Sequence, residues 1–273
     1  MKSNPLGNKT EYKPYYDKSL LFPIKRDVNR ANAQIDSTVF TGYDIWNCYE
    51  LSYLNRNGVP QVRKCRIVYP SDSVCIVESK SLKLYLGSFI MTQFDGDESV
   101  QKIIQTDLQE ILLSSFVKVE LFDYIATGVI YPIPSNQLLD NLDVVCDVYT
   151  VDSSLLSCKK HEESAVYSHW TNLLKTNCPI TGQPDWATVQ IEYKGVFEVI
   201  PQSLLKYIIS YREHGDYHET CCEKIFTDLF TILNPEYLFV KCFFTRRGGI
   251  DINPCRFYGI GSDGIFNEKH WRQ

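Results

Sequence analysis

The segment NCPITGQPDW, residues 177–186, carries a thiol and a carboxylate, Cys178 and Asp185, seven residues apart on a stiff stretch of chain. Its two prolines each fix their own backbone φ and restrict the residue before them, and a glycine between them allows the chain to turn. A cysteine held in this way can act as a nucleophile if an acid or base stands beside it. The same composition is typical of an ordinary surface turn, so the pattern alone leaves both interpretations open.

Three further segments place charged or polar residues at the predicted boundary of an element. VESKSLKLY, residues 77–85, stands where a strand meets a helix, with Ser79 as the predicted N-cap and Glu78 beside it. HGDYHE, residues 214–219, leads into another helix. TRRGGIDINP, residues 245–254, follows a strand, and its arginines and glycines suit a phosphate. Each segment also has a purely structural interpretation: a capped helix with solvated lysines, a polar first helical turn, and a solvated hairpin tip.

Two other patterns are weaker. GIGSDG, residues 259–264, fits G-x-G-x-x-G, but only nine residues follow it, too few for the helix that a dinucleotide fingerprint requires. A nicotinamide cofactor would therefore bind without a Rossmann domain. His214 and His218 have the spacing of a helical zinc pair, and CKKH at 158–161 is the only other candidate spacing. Since no third ligand is suggested by position, we predict no metal.

The overall composition is that of a soluble globular protein. The 273 residues are 44% hydrophobic and 22% charged, enough for one large domain or two of about 130 residues. A net charge of −5 argues against non-specific binding of nucleic acid, and neither a signal peptide nor an apolar run of about 20 residues is present. The ten cysteines have no framework spacing, as expected of free thiols in a reducing compartment. We expect a cytoplasmic protein without nucleic-acid or membrane partners.

The two halves of the chain resemble each other in sequence. SLKLYLGSF at 81–89 aligns with SLLKYIISY at 203–211, and VKVELF at 117–122 aligns with FVKCFF at 239–244. Both pairs have an offset of 122 residues and keep their order along the chain. An internal duplication of a unit of about 120 residues is the simplest explanation.

Each half is predicted to contain two strands, two helices and two strands. Alternating, β-branched and aromatic runs indicate the strands, and apolar residues at i, i+3, i+4 and i+7 indicate the helices. The predicted elements are strands at 38–54 and 60–70, helices near 82–89 and 100–112, strands at 116–134 and 142–151, and second-half helices near 203–212 and 217–233. The fold class is therefore α+β, with antiparallel sheets and helices on one face. A free strand edge in such a sheet predicts association between subunits.

Taken together, these segments resemble one family, the QueF nitrile reductases in their long, two-module form. The strings LGNKTEY, SLLFPIKR, ESKSLKLYL, NCPITGQPDW, HGDYHE and RRGGIDINP carry the resemblance across nearly the whole chain. These enzymes reduce 7-cyano-7-deazaguanine to 7-aminomethyl-7-deazaguanine with NADPH, in the pathway to queuosine of tRNA. The family has the tunnelling fold of GTP cyclohydrolase I. The resemblance thus implies two tandem tunnelling-fold modules, 1–150 and 151–273, and we expect a homodimer.

The resemblance also implies a role for particular residues. It places the nucleophile on Cys178 and the proton donor on Asp185. The implied substrate contacts are Val77, Glu78, Ser79, His218 and Glu219, and the implied NADPH contacts are Ser79, Lys80, Arg247 and Gly248. Tyr217 stands where phenylalanine is common and Cys255 where an aromatic residue is usual, and neither change touches a group that transfers a proton, an electron pair or a hydride.

These residue types suit the implied chemistry. A thiolate that adds to a nitrile carbon makes a thioimidate, and protonation of its nitrogen prepares it for hydride, so Cys178 would attack and Asp185 would move protons. Glutamate carboxylates suit the adjacent N–H donors of a guanine-like edge, and Lys80 and Arg247 suit cofactor phosphates. Because Glu78 and Lys80 lie in the other half of the chain from the thiol, we expect neither half to be active alone. A cysteine-dependent nitrile hydrolase and a non-catalytic purine- or pterin-binding module remain alternatives.

Overall fold

The structure is a computed structural model that describes residues 12–123 and 135–259. The chain divides into two compact units. Unit 1 draws on Met1–Asn29, Tyr43–Gly128 and Arg246–Ile252, and unit 2 draws on Arg30–Gly42, Val129–Thr245 and Asn253–Gln273.

The helices and strands of the described residues are, in chain order, β1 (Pro23–Lys25), α1 (Arg26–Asn32), β2 (Thr41–Leu54), β3 (Pro60–Pro70), β4 (Cys75–Val77), α2 (Ser79–Gly87), α3 (Asp97–Leu112), β5 (Lys118–Phe122), β6 (Cys158–Asn177), β7 (Pro184–Val199), α4 (Pro201–Ile209), α5 (His218–Leu233), β8 (Tyr237–Phe244) and β9 (Ile250–Tyr258). Short 3₁₀ helices occur between several of them. Neighbouring strands are antiparallel, which confirms the predicted α+β class with antiparallel sheets.

In unit 1 the strand order is β5-β3-β2, and β1 pairs with β4 in a separate ladder. β2 and β3 form a long hairpin with a bulge after Cys48. Helices α2 and α3 follow the predicted apolar spacing, because Leu82, Tyr85, Leu86 and Phe89 are all buried in the core of this unit. The strands contribute alternate residues to the same core, so one sheet face carries both helices.

In unit 2 the order is β9-β8-β7-β6, and the β6–β7 hairpin is the longest pairing. Ala187, Val189, Ile191 and Tyr193 alternate along β7 and all face the core cluster that α4 and α5 complete. This alternation is the period of two that a strand covered by helices on one face should show. Two strands, two helices and two strands thus follow one another in β6–β9 with α4 and α5, and among the described residues of unit 1 the order β2, β3, α2, α3 and β5 matches the first five of these elements.

One predicted strand is wrong and another is only partly described. Residues 142–151 form no strand, although the exposure of their side chains alternates and Leu142, Val144 and Val151 pack against the unit 2 core. Alternation shows which side chains face the core, but a strand also needs a partner for its backbone groups. Of the strand predicted at 116–134, β5 is seen, and residues 124–134 lie outside the described residues. No helix among the described residues is long and apolar enough to cross a membrane.

Candidate active site

The loop between β6 and β7, residues 178–183, holds Cys178 half-buried at the end of the long hairpin. Its backbone is closed by Cys178 N–H donating to Gln183 O at 2.8 Å and by Gly182 N–H donating to Cys178 O at 3.0 Å. Gly182 has a φ of +67°, which glycine adopts without strain. The predicted turn-rich loop is thus confirmed, and the thiol lies on a short, hydrogen-bonded connection.

The pairing register places the acid, Asp185, at the end of the hairpin that carries the thiol loop. Thr176 is opposite Asp185, and Asn177 is opposite Pro184, which has no N–H to give to the ladder. Because residues directly opposite each other in a ladder share a face, Thr176 and Asp185 point to one face of the hairpin, and Cys178 follows Thr176 by two residues at the start of the loop. Asp185 is only 4% exposed, so its carboxyl group is buried among protein groups.

The loop before α5, residues 214–216, runs along the hairpin end and is hydrogen-bonded to it. Asn177 N–H donates to His214 O at 2.8 Å, and Asp216 N–H donates to Asn177 O at 3.2 Å. These two bonds use the outward backbone groups of Asn177, which the β6–β7 ladder leaves unused. They bring the first turn of α5 against the face that carries Asp185.

His218, the first residue of α5, contacts Asp185 directly. Its Nε2 lies 3.2 Å from Asp185 Oδ2. The imidazole ring stacks on Phe244 with 3.7 Å between centroids and 6° between planes, so packing sets its orientation. Nδ1 is buried and has no hydrogen-bond partner among the described residues. Next to it, Glu219 is buried in the first turn of the same helix.

Two more ionisable groups flank this pair. Asp216 accepts a hydrogen bond from Tyr217 N–H at 2.7 Å. Burial raises its pKa to about 6, although the Tyr217 N–H and the Thr220 hydroxyl act in the opposite direction. Burial likewise raises the pKa of the Cys221 thiol well above its ordinary value, and nearby Asp216, Asp185 and Glu219 add to the effect. A thiol of this kind stays protonated and unreactive.

In unit 1, Glu78 is the N-cap of α2, and this corrects the prediction that Ser79 caps the helix. The Glu78 carboxylate accepts from Lys80 N–H at 2.8 Å and from Ser81 N–H at 2.7 Å. Ser79 is the first helical residue, and its exposed hydroxyl only reaches Glu78 Oε1 at 3.4 Å. Burial raises the pKa of Glu78, and the two backbone donors lower it. A carboxylate has about four acceptor positions, so one remains for another partner beside the two backbone donors and the long contact from Ser79. The residue before Glu78, Val77, is buried as the last residue of β4.

The predicted phosphate-binding residues of unit 1 lie on a tight turn and a neighbouring helix. Arg247 N–H donates to Ile250 O at 2.8 Å and Ile250 N–H donates to Arg247 O at 3.1 Å, with Gly248 and Gly249 between them at positive φ. Positive φ at both central residues is the signature of a type I′ turn. Arg247 and Gly248 are exposed, and a Cβ on Gly248 would stand 3.0 Å from Lys83 Nζ.

Lys83 is a candidate that the sequence reasoning missed. It is exposed on α2, three residues after Lys80, so the two ammonium groups share one side of the helix. The i, i+3 spacing of the two lysines was a signal available in the sequence. Their closeness to the glycine turn was not, because that contact joins residues far apart in the chain.

No group of three His, Cys, Asp or Glu side chains that could hold a metal occurs within residues 12–123 and 135–259. His214 precedes α5 and His218 begins it, so the two do not share a helix as a zinc pair would. GIGSDG beyond Gly259 and most of LGNKTEY lie outside the described residues.

A half-buried thiol on a short loop, with a buried carboxylate near the start of the next strand and an imidazole 3.2 Å from that carboxylate, suits an enzyme that works through a cysteine. Comparison with known proteins narrows this class. A family described as the N-terminal part of nitrile reductase, 7-cyano-7-deazaguanine reductase, matches residues 12–121, and one described as QueF-like protein matches residues 184–260. The chain belongs to the QueF family of nitrile reductases.

Full-length relatives support this membership. Proteins named NADPH-dependent 7-cyano-7-deazaguanine reductase from Paraburkholderia phymatum and Cupriavidus metallidurans are each 44% identical, over 264 and 257 residues. One of the same name from Paraburkholderia xenovorans is 46% identical over 255 residues. Each comparison covers 93% of this chain and 92% of the relative. A crystal structure of the archaeosine synthase QueF-Like in the apo form matches at a TM-score of 0.32 and 20% identity, over 37% of this chain and 99% of that one, a likeness too slight to bear on the fold.

Proposed function

We propose that this protein reduces the nitrile of 7-cyano-7-deazaguanine to the aminomethyl group of 7-aminomethyl-7-deazaguanine with NADPH, as a step towards queuosine of tRNA. The observation that carries the proposal is the identity of 44% over 93% of the chain to relatives named for this reaction. The thiol in the hairpin loop and the buried carboxylate near the start of the next strand support it, because the reaction needs a nucleophile and a proton donor at one carbon–nitrogen bond.

In the proposed mechanism Cys178 adds to the nitrile carbon and Asp185 transfers protons. Asp185 takes the thiol proton and gives a proton to the nitrile nitrogen, so the Cys178 sulfur forms one bond to carbon and the carbon–nitrogen triple bond becomes double. His218, 3.2 Å from Asp185, orients the carboxyl group and can share its proton. When bound, NADPH supplies a hydride, and the four-electron reduction of a nitrile to an amine requires two of them.

We assign the binding of the deazaguanine to Val77, Glu78, Ser79, His218 and Glu219. Glu78 and Glu219 are buried carboxylates, and such groups form strong charge-assisted hydrogen bonds with adjacent N–H donors. The acceptor position of Glu78 that its helix leaves unused supports this role.

The NADPH phosphates are assigned to Ser79, Lys80, Arg247 and Gly248, and the structure adds Lys83. The fit rests on the turn around Gly248, whose missing Cβ keeps the backbone accessible, and on Lys83 Nζ beside it. Lys80→Ala and Arg247→Ala should each raise the KM for NADPH about 10-fold or more, the scale of a hydrogen bond to a charged group, while the KM for the nitrile changes little. Equal effects on both KM values would contradict the assignment.

The proposed reaction is tested by following NADPH oxidation by its ultraviolet absorbance after the nitrile is added, with the amine measured by mass spectrometry. Two NADPH should be consumed for each amine formed, and the Cys178→Ala variant should consume none. Formation of a carboxylic acid without NADPH consumption would indicate the alternative nitrile hydrolase. Binding of the nitrile without any turnover would indicate the non-catalytic module.

The finer features of the fold and assembly are part of the same proposal. Two tandem tunnelling-fold modules with a division near residue 150, a homodimer, and a cytoplasmic location are all consistent with the family. All ten cysteines are free, which suits a reducing compartment. Sedimentation analysis tests the dimer, and separate expression of residues 1–150 and 151–273 tests whether either part reduces the nitrile alone.

A further inference from the structure

Three threonines of the β6–β7 hairpin are completely buried, and one of them differs from the other two. Thr171 Oγ1 donates to Asp140 Oδ1 at 2.7 Å, and Thr188 Oγ1 donates to Asn172 Oδ1 at 2.8 Å. Thr176 Oγ1 is equally buried and has no hydrogen-bond partner among the described residues. A buried hydroxyl without a partner destabilises a fold, and each such group in a native protein calls for an explanation.

The position of Thr176 gives that explanation. It is directly opposite Asp185 in the ladder and two residues before Cys178. Further along the same face come Leu174 and Ala187, which are opposite each other and belong to the apolar core. Thr176 is therefore the residue at which this face changes from apolar packing to the polar groups of the candidate site.

The Thr176 hydroxyl is close enough to reach the Asp185 carboxyl group. Side chains directly opposite each other in an antiparallel pair have Cβ atoms about 4.5–5.5 Å apart. A change of χ1 exchanges the hydroxyl and the methyl of a threonine within nearly the same volume, so Oγ1 can turn without moving the strand.

We propose that Thr176 is a positioning residue for the reaction: in the substrate-bound enzyme its hydroxyl donates a hydrogen bond to the Asp185 carboxylate and holds it towards Cys178 and the nitrile nitrogen. This inference rests on the proposed function. The donor stabilises the ionised form of Asp185, the form that takes the thiol proton and the form that remains after the nitrile nitrogen is protonated.

Asp185 has other ionisable neighbours that the test must hold constant. His218 and Cys221 face it from α5, with Glu219 on the same turn, and Asp216 lies in the loop before that helix. Cys178 lies in the loop that precedes the strand of Asp185. None of these groups changes when only Thr176 is substituted, so a shift in the pH profile reports on the hydroxyl.

The test compares Thr176→Val, which removes the hydroxyl at constant shape, with Thr176→Ser, which keeps it. The rate of covalent adduct formation with the nitrile, without NADPH, is measured against pH for each. Thr176→Val should slow adduct formation about 10-fold or more and move the acidic limb of the profile to higher pH. Thr176→Ser should restore both. The Tm of Thr176→Val should equal or exceed that of the wild type, because a buried polar atom without a partner is lost.

The matched control is Thr188→Val, which removes a hydroxyl that has a partner on the same hairpin. It should lower the Tm and leave the pH profile unchanged. A wild-type rate and profile in Thr176→Val would overturn the inference, and Thr176→Ala gives the same comparison if the valine variant does not fold. Absence of adduct in the wild type would instead overturn the proposed function, so the two failures are distinguishable.

Discussion

The two long hairpins end in the same backbone arrangement and carry different side chains. In unit 1, Leu54 N–H donates to Thr92 O at 3.0 Å, and Phe94 N–H donates to Leu54 O at 2.8 Å. In unit 2, Asn177 makes the corresponding pair of bonds with His214 and Asp216. In both units the loop that precedes the second helix therefore bridges to the last residue of the first hairpin strand.

The side chains at these two hairpin ends differ in size and in their hydrogen-bond partners. In unit 1, Tyr53 is opposite Gln61, as Thr176 is opposite Asp185 in unit 2. The Tyr53 hydroxyl donates to Asp97 at the start of α3, and Arg63 Nε donates to Asp97 Oδ2 at 2.8 Å. At the unit 1 end, the Tyr53 hydroxyl and the Arg63 guanidinium thus both find their hydrogen-bond partner in Asp97.

The unit 2 end has a small threonine, an imidazole and a buried acid in place of that ring and ion pair. Thr176 Oγ1 and His218 Nδ1, which are buried and have no hydrogen-bond partner among the described residues, both lie at this end. The same backbone framework thus supports an aromatic ring and an ion pair at the end of the unit 1 hairpin, and the candidate active site at the end of the unit 2 hairpin. A buried polar group without a partner calls for an explanation, and a bound substrate is one such explanation for a group at a candidate site.

The largest effect is expected from removing the thiol at the end of the unit 2 hairpin. Cys178→Ala should lower nitrile reduction by roughly 10⁴-fold or more, the scale of removing a nucleophile. Intact mass spectrometry should show an adduct with the nitrile in the wild type and none in the variant. An adduct that persists in Cys178→Ala would place the nucleophile on another cysteine. The buried Cys65 of unit 1 provides the control, since Cys65→Ala should still form the adduct.

The next effect concerns the acid. Asp185→Asn keeps the shape of the side chain and removes its proton transfer, so turnover should fall by about 10²-fold or more. Single-turnover kinetics should show that adduct formation itself is slowed. Near wild-type rates would mean that another group moves the proton. Gln61→Asn, at the corresponding position of unit 1, should leave turnover unchanged.

Glu78 tests whether one carboxylate both caps a helix and binds the substrate. Glu78→Ala should weaken the nitrile complex by about 1.5–3 kcal/mol and lower the free energy of unfolding by about 1 kcal/mol, because the α2 cap is lost. Glu78→Ser, which can cap the helix, should recover the stability without the affinity. Glu219→Ala should weaken binding by a similar amount. Calorimetry measures affinity, and urea denaturation measures stability.

The control for both glutamates is Glu98, an exposed first-turn residue of α3 in unit 1, as Glu219 is a first-turn residue of α5. Glu98→Ala should change neither quantity by more than about 0.5 kcal/mol. If Glu78→Ser restored the affinity as well, the carboxylate would act only as a cap.

The smallest effect on activity and a measurable one on stability are expected at Asp216. Its folded pKa of about 6 lies above the ordinary value of 3.8, so the folded state binds the proton more tightly. The stability contribution of Asp216 is therefore greatest below about pH 4 and is lost as pH rises to about 6. Asp216→Asn should be more stable than the wild type above pH 6, by at most about 3 kcal/mol, and equal to it below pH 4. Chemical denaturation of both proteins across this pH range measures the two free energies of unfolding. A difference between them that stayed constant at all pH values would contradict the prediction.

Local features of this protein could be predicted from the sequence. The apolar spacing of Leu82, Tyr85, Leu86 and Phe89 predicted α2, and the alternation around NRNG predicted the β2–β3 hairpin. Cys178 and Asp185 could be assigned to the same end of one hairpin, because they lie on one short loop and on the strand that follows it. In each case the pattern involves residues only a few positions apart in the chain. The side chains on one face of a helix or strand recur at a fixed spacing, so a local pattern can predict the element.

The tertiary structure decided the rest. It made Glu78 rather than Ser79 the cap of α2, left residues 142–151 without a partner strand, and brought Lys83 to Gly248. It also placed His218 against Asp185, through the loop that bonds to Asn177. These contacts join residues far apart in the chain, and they depend on strand register and helix docking, which many weak interactions set together and no local period encodes.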